Sequence, residues 1–145
     1  MSNTANISCS IGVSDPDAKL GLEIWVDDQC LLDSPAINSA TALSFDLPDN
    51  DAKHELRFVM KNKTVDHTQL DADGNIVRDA RITISNLKFD QIELGQIVTR
   101  QAVYTHNFNG TQEETKEKFY GEMGCNGTVS IKFTTPIYLW LLENM

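Results

Sequence analysis

Apolar and polar residues alternate with a period of two along most of this chain, the pattern of strands that lay one face on a core and the other in water. In residues 20–28, LGLEIWVDD, the side chains of Leu22, Ile24 and Val26 share one face and those of Glu23 and Trp25 the other. The Asp27–Asp28 pair that follows reads as a tight turn into QCLLD. Residues 41–49, TALSFDLPD, group Leu43, Phe45 and Leu47 ahead of Pro48, which has no N–H with which to continue a central ladder. HELRFVMKN repeats the alternation with Leu56, Phe58 and Met60 inward, and GTVSIKFTTP does so with Val129, Ile131 and Phe133. In ARITISNLKFDQIEL the phase changes: Ile82 and Ile84 fall on one face, and Leu87 and Phe89 follow after a break at Ser85–Asn86. Two short strands or one kinked strand both fit that break. GQIVTRQAVYTHNF, residues 95–108, is a further strand candidate. At least seven strands separated by turn residues predict an all-β, antiparallel β-sandwich, with residues 1–145 as a single domain.

Three stretches depart from this rhythm. In GTQEETKEKFYGEM, residues 110–123, Thr111 and Glu114 resemble a capping box and Gly121 a stop, so a short helical or charged insertion is expected there. The C-terminal TTPIYLWLLENM carries Ile137, Tyr138, Leu139, Trp140, Leu141 and Leu142 with hardly a polar interruption. Such a run suits a strand buried on both sides or a segment docked on another subunit, and these six residues are the candidate assembly interface. QLDADGNIVRD, residues 69–79, packs oxygen-bearing side chains around Gly74 and has two readings. As a calcium loop it offers Asp71, Asp73, Asn75 and Asp79 as ligands, with Asp66 close by, yet Gln69 stands where the first acid belongs and Ala80 where the bidentate glutamate belongs. As a hairpin it needs only Asp73–Gly74 or Gly74–Asn75 at positive-φ corners, with Leu70 and Ile76 facing across the turn. The strand-like flanks favour the hairpin, which admits calcium without requiring a cofactor.

Charge narrows the function classes. The chain holds 12 Lys plus Arg against 21 Asp plus Glu, a formal net charge of -9, and no basic cluster that could neutralise phosphates, so nucleic acid is not an expected partner. No stretch approaches the roughly 20 apolar residues of a membrane span, and the N-terminal MSNTANISCSIGVSD lacks signal-peptide features, so synthesis in a cytoplasm is expected. Cys9, Cys30 and Cys125 are too few and too scattered for a disulfide framework and are expected to be free, buried thiols. His54, His67 and His106 have no metal-binding spacing, and no nucleophile elbow or phosphate loop is present, so the chain is not expected to be an enzyme. His54 and His106 fall in or beside strands and read as hydrogen-bonded structural histidines. Sugar binding would need exposed aromatic faces beside polar groups, and Trp25, Tyr104 and Tyr120 are the candidates for stacking.

From LEIWVDDQCLLDS through HELRFVMKNKT to RITISNLKFDQIEL, about half the chain, the strands resemble those of jelly-roll carbohydrate-binding modules of the calcium-dependent xylan-binding type. That resemblance implies a jelly-roll-like sandwich. Over nearly its whole length, and most in FDQIELGQI, YTHNFNGT and KFYGEMGCNGTVSIKFTTPIYLWLLENM, the chain is similar to small proteins of marine tailed bacteriophages, including phages of cyanobacteria. What this implies is a non-catalytic virion accessory part, a capsid decoration or a tail or fibre component, made in the host cytoplasm. It would act by surface binding, assembling with itself or with other virion proteins. The alternative is a calcium-assisted carbohydrate-binding module that recognises host surface glycans.

Overall fold

A computed structural model of the chain describes residues 4–14, 19–37, 39–48, 51–63, 68–107 and 113–144. The alternating segments become strands β1 (Thr4–Val13), β2 (Leu20–Val26), β3 (Gln29–Ile37), β4 (Thr41–Pro48) and β5 (Lys53–Lys61). They continue as β6 (Thr68–Leu70), β7 (Ile76–Asp79), β8 (Ile82–Phe89), β9 (Ile92–Glu93), β10 (Val103–His106), β11 (Thr115–Lys118), β12 (Glu122–Met123) and β13 (Gly127–Thr134). Helix α1 (Gln96–Gln101) precedes β10, and helix α2 (Ile137–Asn144) follows β13. One antiparallel sheet runs β12-β8-β1-β4, with β9 paired to β8, and a second runs β11-β10-β13-β5-β2-β3. β6 and β7 form a separate hairpin. The protein is an antiparallel all-β sandwich with two short helices.

The core lies between the two large sheets and is built from the residues that the alternation puts inward. Ile7, Ile82 and Phe89 of the first sheet, and Leu22, Ile24 and Val129 of the second, are completely buried. Each such side chain contributes roughly 1.5–3 kcal/mol through removal from water. Phe89 lies 5.0 Å from Phe133 and 5.5 Å from Trp140, centroid to centroid, so one aromatic cluster joins both sheets to α2.

The phase change in residues 82–89 proves to be a bulge inside a single strand. Between the pairs Ser8–Lys88 and Ser10–Ser85, β8 uses one more residue than β1, and Asn86 sits at φ 53°. The extra residue moves the inward set from Ile82 and Ile84 to Leu87 and Phe89.

Three expectations are corrected. Residues 95–108 do not form one strand: after Gly95 the chain winds into α1, which buries Ile97, and becomes extended only at β10. Leu94, Ile97 and Val98 stand at helical spacing, and the β-branched pair Ile97–Val98 had masked it. Of the short helical or charged insertion expected at 110–123, the helical alternative fails: the described residues 113–123 hold no helix and form strand at 115–118 and 122–123, and Thr111 lies outside the described residues. Residues 115–118 pair with β10 as an edge strand, Tyr104 opposite Glu117. A Thr-Lys-Glu-Lys strand has no apolar face to bury, and its charges discourage further strands from adding at the sheet edge. Last, the C-terminal run is a helix and not a strand buried on both sides.

The cysteines are free, as expected, but only Cys9 is buried, and its burial pushes the thiol up to about 11. Cys30 is exposed because β3 is the edge of its sheet.

Candidate functional site

The stretch at residues 69–79 is a hairpin tip. Leu70 pairs with Ile76 across it, and Gly74 takes φ 84°. Asp71 organises the turn: its Oδ1 accepts the N–H groups of Asp73 and Asn75, each at 2.9 Å, and its Oδ2 accepts the Asn75 side-chain amide at 3.4 Å. The Asn75 N–H, with those of Asp73 and Gly74, holds the Asp71 carboxyl below the usual carboxylate range. The Asp71 oxygens are therefore serving the loop's own amides. Asp73 and Asn75 are exposed beside them. Asp79 pairs with Thr68 through the backbone of β7, and its side chain, like Asp66 and His67, lies outside the described residues. Among the described residues, no group of three or more His, Cys, Asp and Glu side chains is arranged to hold a metal ion.

The three aromatic candidates meet different fates. Trp25 points away from the core and is half-buried. The Arg57 guanidinium lies 5.6 Å over its ring, and its Nε1–H donates to Glu23 at 3.1 Å. Tyr104 is corrected: it is the inward residue of β10, 6% exposed, and cannot offer its face to a sugar. Its hydroxyl donates to the Cys125 carbonyl and accepts the Cys125 N–H at 2.9 Å. Tyr120 is 77% exposed, at the lip of a cleft of about 520 Å³ lined by Ser85, Glu117, Lys118 and Glu122 among others.

Helix α2 divides the six candidate interface residues in two. Ile137, Trp140 and Leu141 are buried, while Tyr138, Leu139 and Leu142 are 55%, 57% and 69% exposed. The first set recurs at i, i+3 and i+4, the spacing that lays one helix face on a core. Arg100 and Gln101 of α1 clamp the helix end by hydrogen bonds of 2.7 Å to the carbonyl and side-chain oxygens of Asn144. Next to α2, a groove of about 250 Å³ is lined by Ile92, Leu94, Ile97 and Leu141 with Arg100.

A cleft that the sequence did not reveal lies where β5, β13 and the β2–β3 turn meet α2. It measures about 440 Å³ and is lined by Asp27, Lys53, His54, Lys132, Phe133 and Trp140, with Glu55 and Thr134. Asp27, at φ 53° in the turn, is bound on all sides. Its Oδ2 accepts the His54 Nδ1–H at 2.7 Å, its Oδ1 accepts the Glu55 N–H at 2.9 Å, and its carbonyl accepts Arg57 Nη2 at 2.8 Å. Partial burial pushes the Asp27 carboxyl up, but the hydrogen bonds from His54 and Glu55 and the charges of His54 and Arg57 outweigh it and hold it below the usual range. The His54 ring stacks on Phe133 at 5.4 Å, and its Nε2 is buried without a hydrogen-bond partner. His106 has a comparable carboxylate, Glu117 Oε2 at 2.6 Å. Both histidines are thus hydrogen-bonded within the sandwich. The Asp27–His54 contact escaped the sequence reading because the two residues lie 27 positions apart. The only trace was that each stands at the end of a strand.

Comparison with protein-family models, with curated proteins and with solved structures finds no match to this chain. No helix among the described residues is long and apolar enough to cross a membrane.

Proposed function

We propose that the protein is a non-catalytic accessory part of a tailed-phage virion that works by assembly, pairing with a second copy of itself through the outer face of α2. The carrying observation is the division of α2: one face completes the core, and the other leaves Tyr138, Leu139 and Leu142 exposed together. Beside these projecting side chains lies the groove of Ile92, Leu94 and Ile97. Exposed apolar side chains on a helix that also borders a groove suit a two-fold, self-complementary contact. The likeness to marine phage proteins supplies the virion setting.

The test is mass photometry on the purified protein, with co-sedimentation on intact particles. An oligomer is expected, and Leu139→Asp with Leu142→Asp should return it to monomer. Each buried leucine contributes about 1.5–3 kcal/mol, so losing two weakens association about a hundredfold or more. Because each copy carries a net charge of -9, association should tighten as salt screens the repulsion. A monomer at every concentration, with no protein on the particles, would sink the proposal.

Tyr120 favours a second reading, recognition of a host glycan. Its exposed ring beside hydroxyl and carboxylate groups is the furniture of a sugar subsite. On a glycan array, binding that Tyr120→Ala abolishes is the expected result of that reading. Absence of any signal from the wild-type protein excludes it.

A further inference from the structure

We propose that the Asp27–His54 cleft binds a small organic oxyanion, a carboxylate or phosphate ester with an apolar body. At about 440 Å³ the cleft has the size of a small-ligand pocket, and Phe133 and Trp140 give it an apolar wall. Its acids are already committed inside the protein. Asp27 holds His54 and the Glu55 N–H, while Glu55 accepts the Ser130 hydroxyl at 2.6 Å and lies 3.6 Å from Arg57 Nε. Among the described residues its cations are not committed: Lys53 and Lys132 are exposed on adjoining strands, and their side chains form no hydrogen bond or ion pair with any described residue. The two ammonium groups offset the Asp27 and Glu55 carboxylates in the lining, so the cleft is locally close to neutral within a chain of net charge -9.

His54 is the second, independent feature. Its side chain is only 9% exposed, and Nε2 has no partner. A buried polar nitrogen left unpaired is costly, and a ligand oxygen relieves that cost. Asp27 holds the Nδ1–H on one side of the ring, and the oxyanion accepts the Nε2–H on the other. The Nε2 proton is taken up from solvent as the oxyanion binds, so the ring lies between the Asp27 carboxylate and a carboxylate or phosphate oxygen of the ligand. Because Nε2 is screened from water in the free protein, ligand entry includes a small displacement of the His54 ring.

The experiment is a two-dimensional NMR titration that follows the His54 ring resonances, with benzoate, phenyl phosphate and benzylamine as probes. At least one of the anions should produce a saturable shift at His54, benzylamine should not, and the two anions between them decide which oxyanion the cleft prefers. Lys53→Ala with Lys132→Ala, both at exposed positions, should weaken that binding about tenfold or more. Leu139→Asp with Leu142→Asp should leave it unchanged, which separates this site from the assembly face. No shift with either anion, an equal shift with benzylamine, or full binding by the double lysine variant overturns the proposal.

Discussion

Phe89→Ala is expected to lower the free energy of unfolding by about 3–5 kcal/mol, a large part of the 5–15 kcal/mol typical of a domain. Phe89 is completely buried at the junction of the two sheets and α2, against Phe133 and Trp140. Its removal leaves a cavity that three separate elements would have to collapse together to fill, so little relaxation is available. Urea unfolding monitored by tryptophan fluorescence checks the value, since Trp140 reports on the same cluster. Glu143→Ala, at an exposed position of the same helix outside the apolar assembly residues, is the control and should change stability by less than about 0.5 kcal/mol. A loss at Phe89 no larger than the control would mean that α2 does not close the core.

Gly127→Ala is the second large effect, and its sign is the informative part. Replacing a glycine by alanine at an unstrained position usually stabilises a protein by about 0.4–1 kcal/mol, because the unfolded chain loses freedom. Here a Cβ would collide with the Thr105 carbonyl and come within 2.8 Å of the His106 Cβ. Gly127 pairs with His106 on one side and with Met60 on the other, so β13 cannot move away from β10 without disturbing β5. A loss of about 1–3 kcal/mol is expected, with faster hydrogen exchange at the β10 amides. A gain in thermal stability would show that β10 gives way easily. The His106–Glu117 pair, carried on β10 and β11, would then rest on a pliable edge.

The hairpin at Asp71 shows how a short motif can be legible as backbone. Asp, Gly and Asn in that order are what a tight turn and a calcium loop both need. In this chain Asp71 turns its oxygens onto its own amides, which is what the turn requires. Gln69 and Ala80 had already weakened the calcium reading from sequence alone.

What the chain determines by itself is its period. Alternation identified the inward residues of β2, β5 and β13, and an interrupted alternation marked the β8 bulge, because side-chain direction in a strand is a local property of the backbone. Only the tertiary structure decided the rest. A short apolar run carries no sign of its partner, so whether residues 137–142 formed a strand or a helix depended on the shape of the core left open by the two sheets. Charged residues 115–118 became extended because an unpaired edge of β10 was waiting for them, which outweighed their helical propensity. The Asp27–His54 cleft belongs to the same class: it exists because the antiparallel register of β2 and β5 brings the end of one strand beside the start of the other. Proximity of that kind is created by the pairing of strands distant in sequence, and no local pattern encodes it.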